Sequence, residues 1–247
     1  MALRNTIEEQ AASEWQGVKE IIAAASEEGV HVLLYGVPGT GKTTAAWTLA
    51  QDTNREYTSI TMHGDLSAQE LVGHFVPVGN QTWEFRMGPL AKAFTGGHVC
   101  SLNELDHAAG PVNTALYAVL DDPQVARLTV PTGIIARHDK FLAIGTTNTK
   151  LENLDLPEAL LDRFPIRIPI VFPNPQAVER IQAPAIRRMV WEVYSPRHPL
   201  NGRVTYRLLA AIDKLKSRGV SIERAVKAVF PDEYVAREIG TALALAS

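Results

Sequence analysis

Cysteine is nearly absent from this chain: Cys100 stands alone among 247 residues, which excludes an internal disulfide and any zinc site built on several thiolates. A reducing compartment is the natural expectation, with Cys100 as buried filler. Charge of either sign is not in large excess. Lys and Arg number 24 against 27 Asp and Glu, a formal charge of -3, so no global basic field draws nucleic acid without sequence preference. A local basic face stays open. No apolar run is long enough to span a bilayer, and the start, Met1 to Gln16, carries Glu8, Glu9 and Glu14 where a signal peptide would be apolar. A soluble, cytoplasmic protein is expected. The histidines offer no close pair at helical metal spacing, and no Gly-x-Ser-x-Gly segment signals a second nucleophilic site. Histidine is therefore read as exposed or satisfied.

What is present is an alternation of two periodicities. Thr6 and Glu9 form a capping box, after which Ile7, Ala11, Trp15, Val18, Ile22 and Ala25 recur at helical spacing until Gly29. A continuous apolar run, Val30 to Tyr35, then enters a glycine loop, and Lys42 to Gln51 reads as a helix. Further strands are expected at Tyr57 to Met62, Val99 to Leu102, Phe141 to Gly145 and Ile166 to Val171, with a helix opened by Pro111 between the second and third of these. Strands alternating with helices imply a mostly parallel sheet covered on both faces. After Phe172 the segment Pro173-Asn174-Pro175 breaks the chain. The remainder reads as helical: Gln176 to Tyr194 with Pro184 as a kink or break, Val204 to Ser217, Ser221 to Phe230, and Asp232 to Ala246. The expected fold is α/β, an αβα sandwich at 1–172 followed by a small helical lid at 173–247.

The glycine loop reads Gly36-Val37-Pro38-Gly39-Thr40-Gly41-Lys42-Thr43, followed by Thr44. Glycine-permitted geometry leaves successive backbone N–H groups free to converge on phosphate oxygens at a helix N-terminus, whose dipole also favours negative charge. Lys42 adds a full positive charge at the β and γ phosphates, and Thr43 offers a hydroxyl to Mg²⁺. ATP with Mg²⁺ is the expected cofactor. A second element should be a buried strand ending in carboxylates. Val99-Cys100-Ser101-Leu102-Asn103-Glu104-Leu105-Asp106 fits with one departure. Glu104 stands where the base that polarises water belongs. Asn103 occupies the metal-side position, where an Asp is usual; its amide oxygen still accepts from a metal-bound water, but without the charge the pull on the cation falls. Asp106 either compensates or, as its distance from Glu104 favours, caps or ion-pairs near the next helix.

With these pieces in order the chain resembles AAA+ ATPases, and within them the MoxR-type branch close to the CbbQ/NorQ group. The resemblance runs from about Val30 to Val229 and includes Met87-Gly88-Pro89-Leu90-Ala91-Lys92-Ala93 before the Glu104 strand. It implies that Asn148, closing the strand Phe141 to Asn148, is the sensor that orients water near the γ-phosphate; a strand-end capping Asn is the plain alternative. Leu160-Leu161-Asp162-Arg163-Phe164 is similar to the family's arginine-finger motif, so Arg163 would reach a neighbouring subunit's nucleotide, against a local ion pair with Asp162. Thr205-Tyr206-Arg207-Leu208-Leu209 resembles the second-sensor helix start, making Arg207 a contact to the γ-phosphate in cis, with Arg203 as runner-up.

The resemblance also implies two hairpins. One lies at Val76 to Arg86 with a Gly79-Asn80 turn, the other at Val125 to Arg137 across Pro131-Thr132-Gly133. Trp83 and Phe85 then either grip a partner or pack in the core. The function so implied is an ATP-hydrolysing ring, a hexamer, that remodels or activates a protein client. An adaptor is expected, for which MoxR-type relatives use a von Willebrand factor A-domain protein. Three rivals stay open: a nucleotide-binding switch or scaffold of weak hydrolysis because of Asn103; a DNA-acting AAA+ loader or motor subunit; and a monomeric small-molecule kinase, for which no acceptor pocket is legible.

Overall fold

In the computed structural model, which describes residues 2–108 and 110–245, helix α1 spans Ala2–Glu27. It begins before Thr6, so Thr6 lies inside the helix and does not cap it. Good helix formers ahead of Thr6 carry the helix past the capping signature. Strand β1 (Val32–Gly36) leads through the glycine loop into α2 (Lys42–Asp52) and β2 (Tyr57–Thr61). Next come α3 (Ala68–Val72), β3 (Gly73–Gly79), β4 (Thr82–Met87), α4 (Pro89–Gly96) and β5 (Val99–Asn103). A 3-10 turn at Leu105–His107 precedes α5 (Gly110–Val119), β6 (Arg127–Val130), β7 (Gly133–Ala136) and β8 (Leu142–Thr147). After α6 (Glu158–Asp162) and β9 (Ile166–Ile170), the chain is helical: α7 (Pro175–Glu179), α8 (Pro184–Val193), α9 (Tyr206–Ser217), α10 (Ile222–Val229) and α11 (Glu233–Leu245). Ala246, expected to end the last helix, lies outside the described residues.

The central sheet has the order β2-β5-β8-β1-β9. The pairs β1 with β8, β2 with β5 and β5 with β8 are parallel, in a register that sets Ser59 beside Ser101, Thr61 beside Asn103 and Leu102 beside Gly145. Every residue of β5 and β8 is buried, as expected of inner strands covered on both faces, and this is why both read as mainly apolar runs rather than alternating ones. Cys100 is buried on β5, where loss of hydration pushes its thiol up to about 12.

Two compact units divide the chain. The sheet unit comprises Val18–Gly36 and Lys42–Pro169; the helical unit comprises Met1–Gly17, Val37–Gly41 and Ile170–Ser247. The core of the sheet unit joins Leu33, Ile60, Leu102, Phe94, Leu116 and Phe141. That of the helical unit joins Ile7 and Ala11 to Ile186, Trp191, Leu209 and Ile239. Here the expected helix at Gln176 to Tyr194 is two helices. Pro184 opens the second, having no N–H to give to a preceding turn. The buried Asp213 carboxylate on α9 accepts the Gln182 and Ala183 N–H groups at 2.9 and 2.8 Å, satisfying donors that the break exposes.

Both small hairpins are present, β3 with β4 and β6 with β7. The first turns at Asn80 and Gln81, one residue later than Gly79-Asn80. Both carry positive φ, 47° and 58°, while Gly79 at 99° sits in a register shift. Two left-handed central residues match the twist of the flanking strands.

Candidate functional site

In the sheet unit, β1, β5 and β8 bring their C-terminal ends to one edge, where the N-terminus of α2 also begins. Four of the residues singled out from the sequence meet there. Lys42, only 6% exposed, donates from Nζ to the Gly36 carbonyl at 2.8 Å and to Asn148 Oδ1 at 3.0 Å. Thr43 Oγ1 donates to Asn103 Oδ1 at 2.8 Å. That contact leaves the Thr43 lone pairs available to a cation while its proton is held by the amide. Thr43 and Thr44 are both exposed on the first turn of α2.

Asn103 is set in a polar row on one face of the sheet. Its Oδ1 also accepts from Ser101 Oγ at 2.9 Å and from Thr146 Oγ1 at 3.3 Å, while Nδ2 donates to Ser59 Oγ at 2.9 Å and, weakly, to the Ile60 carbonyl at 3.4 Å. The surroundings therefore take an amide, with the oxygen on the Thr43 side. Ser59, Ser101 and Thr146 escaped the sequence reading; a hydroxyl in the middle of the apolar run Val99 to Leu102 was the available signal.

Glu104 is the next residue, exposed and in left-handed backbone, φ 53° and ψ 49°. Asp106 differs from expectation. Among the described residues it makes no cap or ion pair at the next helix; its Oδ2 accepts from Thr149 Oγ1 at 2.7 Å, in the segment that follows Asn148. Arg163, at the end of α6, does not join the Lys42 group in this chain. Its guanidinium lies 3.5 Å from Asp121 and 3.9 Å from Asp162. The local pair weighed against the finger reading thus exists, with Asp121 as its nearer partner.

In the helical unit, Gly39 and Gly41 hold φ of 77° and 106°, conformations that glycine permits. A Cβ built on Gly39 would sit 3.5 Å from Arg207 Cβ, and one on Gly41 3.4 Å from Asn174 Cβ and 3.6 Å from Trp15 Cη2. Arg207 therefore rises from the start of α9 beside the loop segment Val37–Gly41, while the Thr40 carbonyl accepts from Asn174 N at 2.9 Å. Trp15 is anchored by its indole N–H on the Phe172 carbonyl at 3.0 Å. Glu14 beside it accepts the N–H groups of Val171 and Phe172, and burial raises its carboxyl above the ordinary value against the pull of those bonds. Arg203 is exposed, as is Pro38.

The family model for the AAA domain of the dynein-related subfamily matches residues 31–164, more than half of the chain. The chain belongs to this AAA family. NorQ from Paracoccus denitrificans is 25% identical over 221 residues, covering 84% of this chain and 81% of NorQ. Chaperone MoxR1 from Mycobacterium tuberculosis is 28% identical over 170 residues, covering 67% of this chain and 42% of MoxR1, so the match spans less than half of that relative. Among solved structures, a RuvB variant from Thermotoga maritima aligns with a TM-score of 0.53 at 20% identity, over 89% of this chain and 68% of RuvB. That likeness speaks to fold alone. The AAA protein described here is of the MoxR-like branch, and its parallel sheet with a C-terminal helical region is the architecture of nucleotide-binding P-loop proteins.

The donor set suits that ligand class. Thr43 and Asn103 are hard oxygen donors of the kind Mg²⁺ takes, one or two from protein with water and phosphate completing the shell. Lys42 is a buried cation, and the Gly36 carbonyl and Asn148 amide oxygens that it meets are neutral acceptors that a phosphate would outcompete. On the outside of the sheet unit, Trp83 is 64% exposed and Ile134 71% exposed, whereas Phe85 packs on the core. No helix among the described residues is long and apolar enough to cross a membrane.

Proposed function

We propose that this chain is an ATP-hydrolysing AAA+ ring motor that remodels or activates a protein partner. The observation that carries the reading is the convergence of Lys42, Thr43, Asn103 and Asn148 at one sheet edge, with Glu104 immediately following. In this scheme Lys42 neutralises the β and γ phosphates, Thr43 and Asn103 hold the Mg²⁺ side, and Asn148 orients the attacking water. Glu104 takes that water's proton. Magnesium supplies charge neutralisation at the phosphates; the chain's own groups position and exclude. Arg163 acts on a neighbouring subunit's nucleotide, which calls for a ring, read as a hexamer. Arg207, in the helical lid that begins near Pro173, contacts the γ-phosphate in cis. The chaperone designation of MoxR1 supports a protein client, and an adaptor with a von Willebrand factor A domain is the partner class to seek. Exposed Trp83 and Ile134 are among the apolar groups that the two hairpins offer a partner.

The neutral amide at Asn103 favours a second reading, a nucleotide-gated switch of feeble turnover. Steady-state phosphate release and retention of ATP with Mg²⁺ separate the two. Turnover above a Lys42→Ala control is expected. Retention of ATP without turnover selects the switch, and loss of both removes the motor reading and the nucleotide site with it.

A further inference from the structure

Glu104 is the one residue between a densely bonded strand end and a buried turn, and it carries positive φ. A non-glycine residue in this conformation is uncommon and persists where its surroundings over-determine it. On one side Asn103 is fixed by its polar row. On the other, Leu105 is fully buried in the sheet core, over a glycine that leaves it room: a Cβ at Gly145 would come within 3.1 Å of Leu105 Cδ2. The turn itself closes through His107 N–H on the Glu104 carbonyl at 2.9 Å and Ala108 N–H on the Leu105 carbonyl at 3.2 Å.

The remaining anchor is the Asp106 carboxylate, which takes the Thr149 hydroxyl at 2.7 Å. Thr149 is in turn set by its N–H on Thr147 Oγ1 at 3.0 Å. A carboxylate can only accept, so Thr149 is the obligate donor and the contact has one polarity. It ties the turn after Glu104 to the segment after Asn148, and thereby joins the two residues read as acting on water. We propose that Asp106 and Thr149 are positioning residues, a latch that keeps the Glu104 backbone left-handed and sets its carboxylate against Asn148. The inference rests on the reading of Glu104 as the base.

The test uses Thr149→Val, which keeps shape and removes the donor, and Thr149→Ser, which keeps the donor. Amide hydrogen exchange over residues 104–108, binding of a fluorescent ATP analogue with Mg²⁺, and kcat are measured on the full chain. For Thr149→Val the expected result is faster exchange in the turn, unchanged analogue affinity, and a kcat lowered on the order of tenfold, the worth of a hydrogen bond to a charged group. Thr149→Ser should restore both exchange and kcat. Unchanged exchange, a kcat that does not follow it, or failure of Thr149→Ser to rescue overturns the latch. A native chain with no turnover at all overturns the motor reading instead, and is recognised by comparison with Lys42→Ala.

Discussion

Arg163 is held within its own chain, yet the proposed role sends it to a neighbour, so the two placements must be weighed. Asp162 is 80% exposed at 3.9 Å and Asp121 is 42% exposed at 3.5 Å. Pairs of this kind contribute roughly 0.2–1 kcal/mol each. Against them, Arg163 Nε is buried and finds no partner among the described residues, at a cost of about 1–3 kcal/mol. The local placement is therefore shallow. An arginine that stabilises transferring phosphate from another subunit contributes 10³–10⁵ in kcat in the best-studied nucleotide hydrolases, or about 4–7 kcal/mol. The second term exceeds the first.

Two results are then expected in a coupled phosphate-release assay. Arg163→Ala should lose turnover on the order of 10³-fold, whereas Asp121→Asn, which weakens only the local pair, should change it by no more than about fivefold. Arg163→Ala and Glu104→Gln, each inactive alone, should recover turnover when mixed, because a site built from the intact Glu104 of one and the intact Arg163 of the other then exists. Absence of recovery would refute the trans assignment. So would an Asp121→Asn protein as inactive as Arg163→Ala, which would make the local pair the purpose of the residue.

Two further outcomes concern stability. Asp213→Ala orphans the buried N–H of Ala183 and the part-buried one of Gln182, so urea unfolding should show a loss of about 1–3 kcal/mol, and Asp213→Asn, keeping one acceptor, a smaller one; no loss in either would show that water replaces the carboxylate. His31 is buried against Phe141 and accepts the Ala143 N–H on Nδ1, and burial, with Arg137 nearby, lowers its pKa from 6.5 to about 3. Its depressed folded value means that the unfolded chain binds the extra proton first, so this contribution is complete above pH 6.5 and drains away as pH falls towards 3. Between pH 6.5 and 5 the native chain should lose roughly 1.5 kcal/mol more than His31→Asn, which keeps an acceptor for Ala143. Parallel stability curves for the two proteins would remove His31 as the cause.

The elements legible in the sequence were those with strong period or composition. The β1 run, the glycine loop, the buried strands β5 and β8 and the second hairpin lie within a residue or two of their expected places, and the first hairpin begins three residues before its own. Short helices such as α3 were not seen, being too brief to show a period. The helical start at Thr6 failed because a capping signature is local and cannot veto a helix that continues ahead of it. Proline at 184 left kink and break open, and the deciding element was Asp213, some thirty residues further along, whose carboxylate takes the N–H groups at the break.

The site divides in the same way. Lys42, Thr43, Asn103, Glu104 and Asn148 are singled out because each lies at a fixed offset from a glycine or a strand end, which is information carried along the chain. Their orientation is carried across it, by Ser59, Ser101, Thr146 and Thr149 on neighbouring strands and the segments that follow them. Small hydroxyl residues have no signature of their own in a sequence, since the same letters serve turns and surfaces. Asn103 shows what this costs. From the sequence it is a carboxylate missing its charge; in the fold it is an amide whose nitrogen meets the Ile60 carbonyl and the Ser59 hydroxyl. A carboxylate there would set an oxygen against the Ile60 carbonyl oxygen and bury a charge until a cation arrived. The amide is thus the group that Ser59 and Ile60 accommodate, and in the proposed magnesium site the same neutrality would weaken attraction for the cation, so the two effects pull in opposite directions.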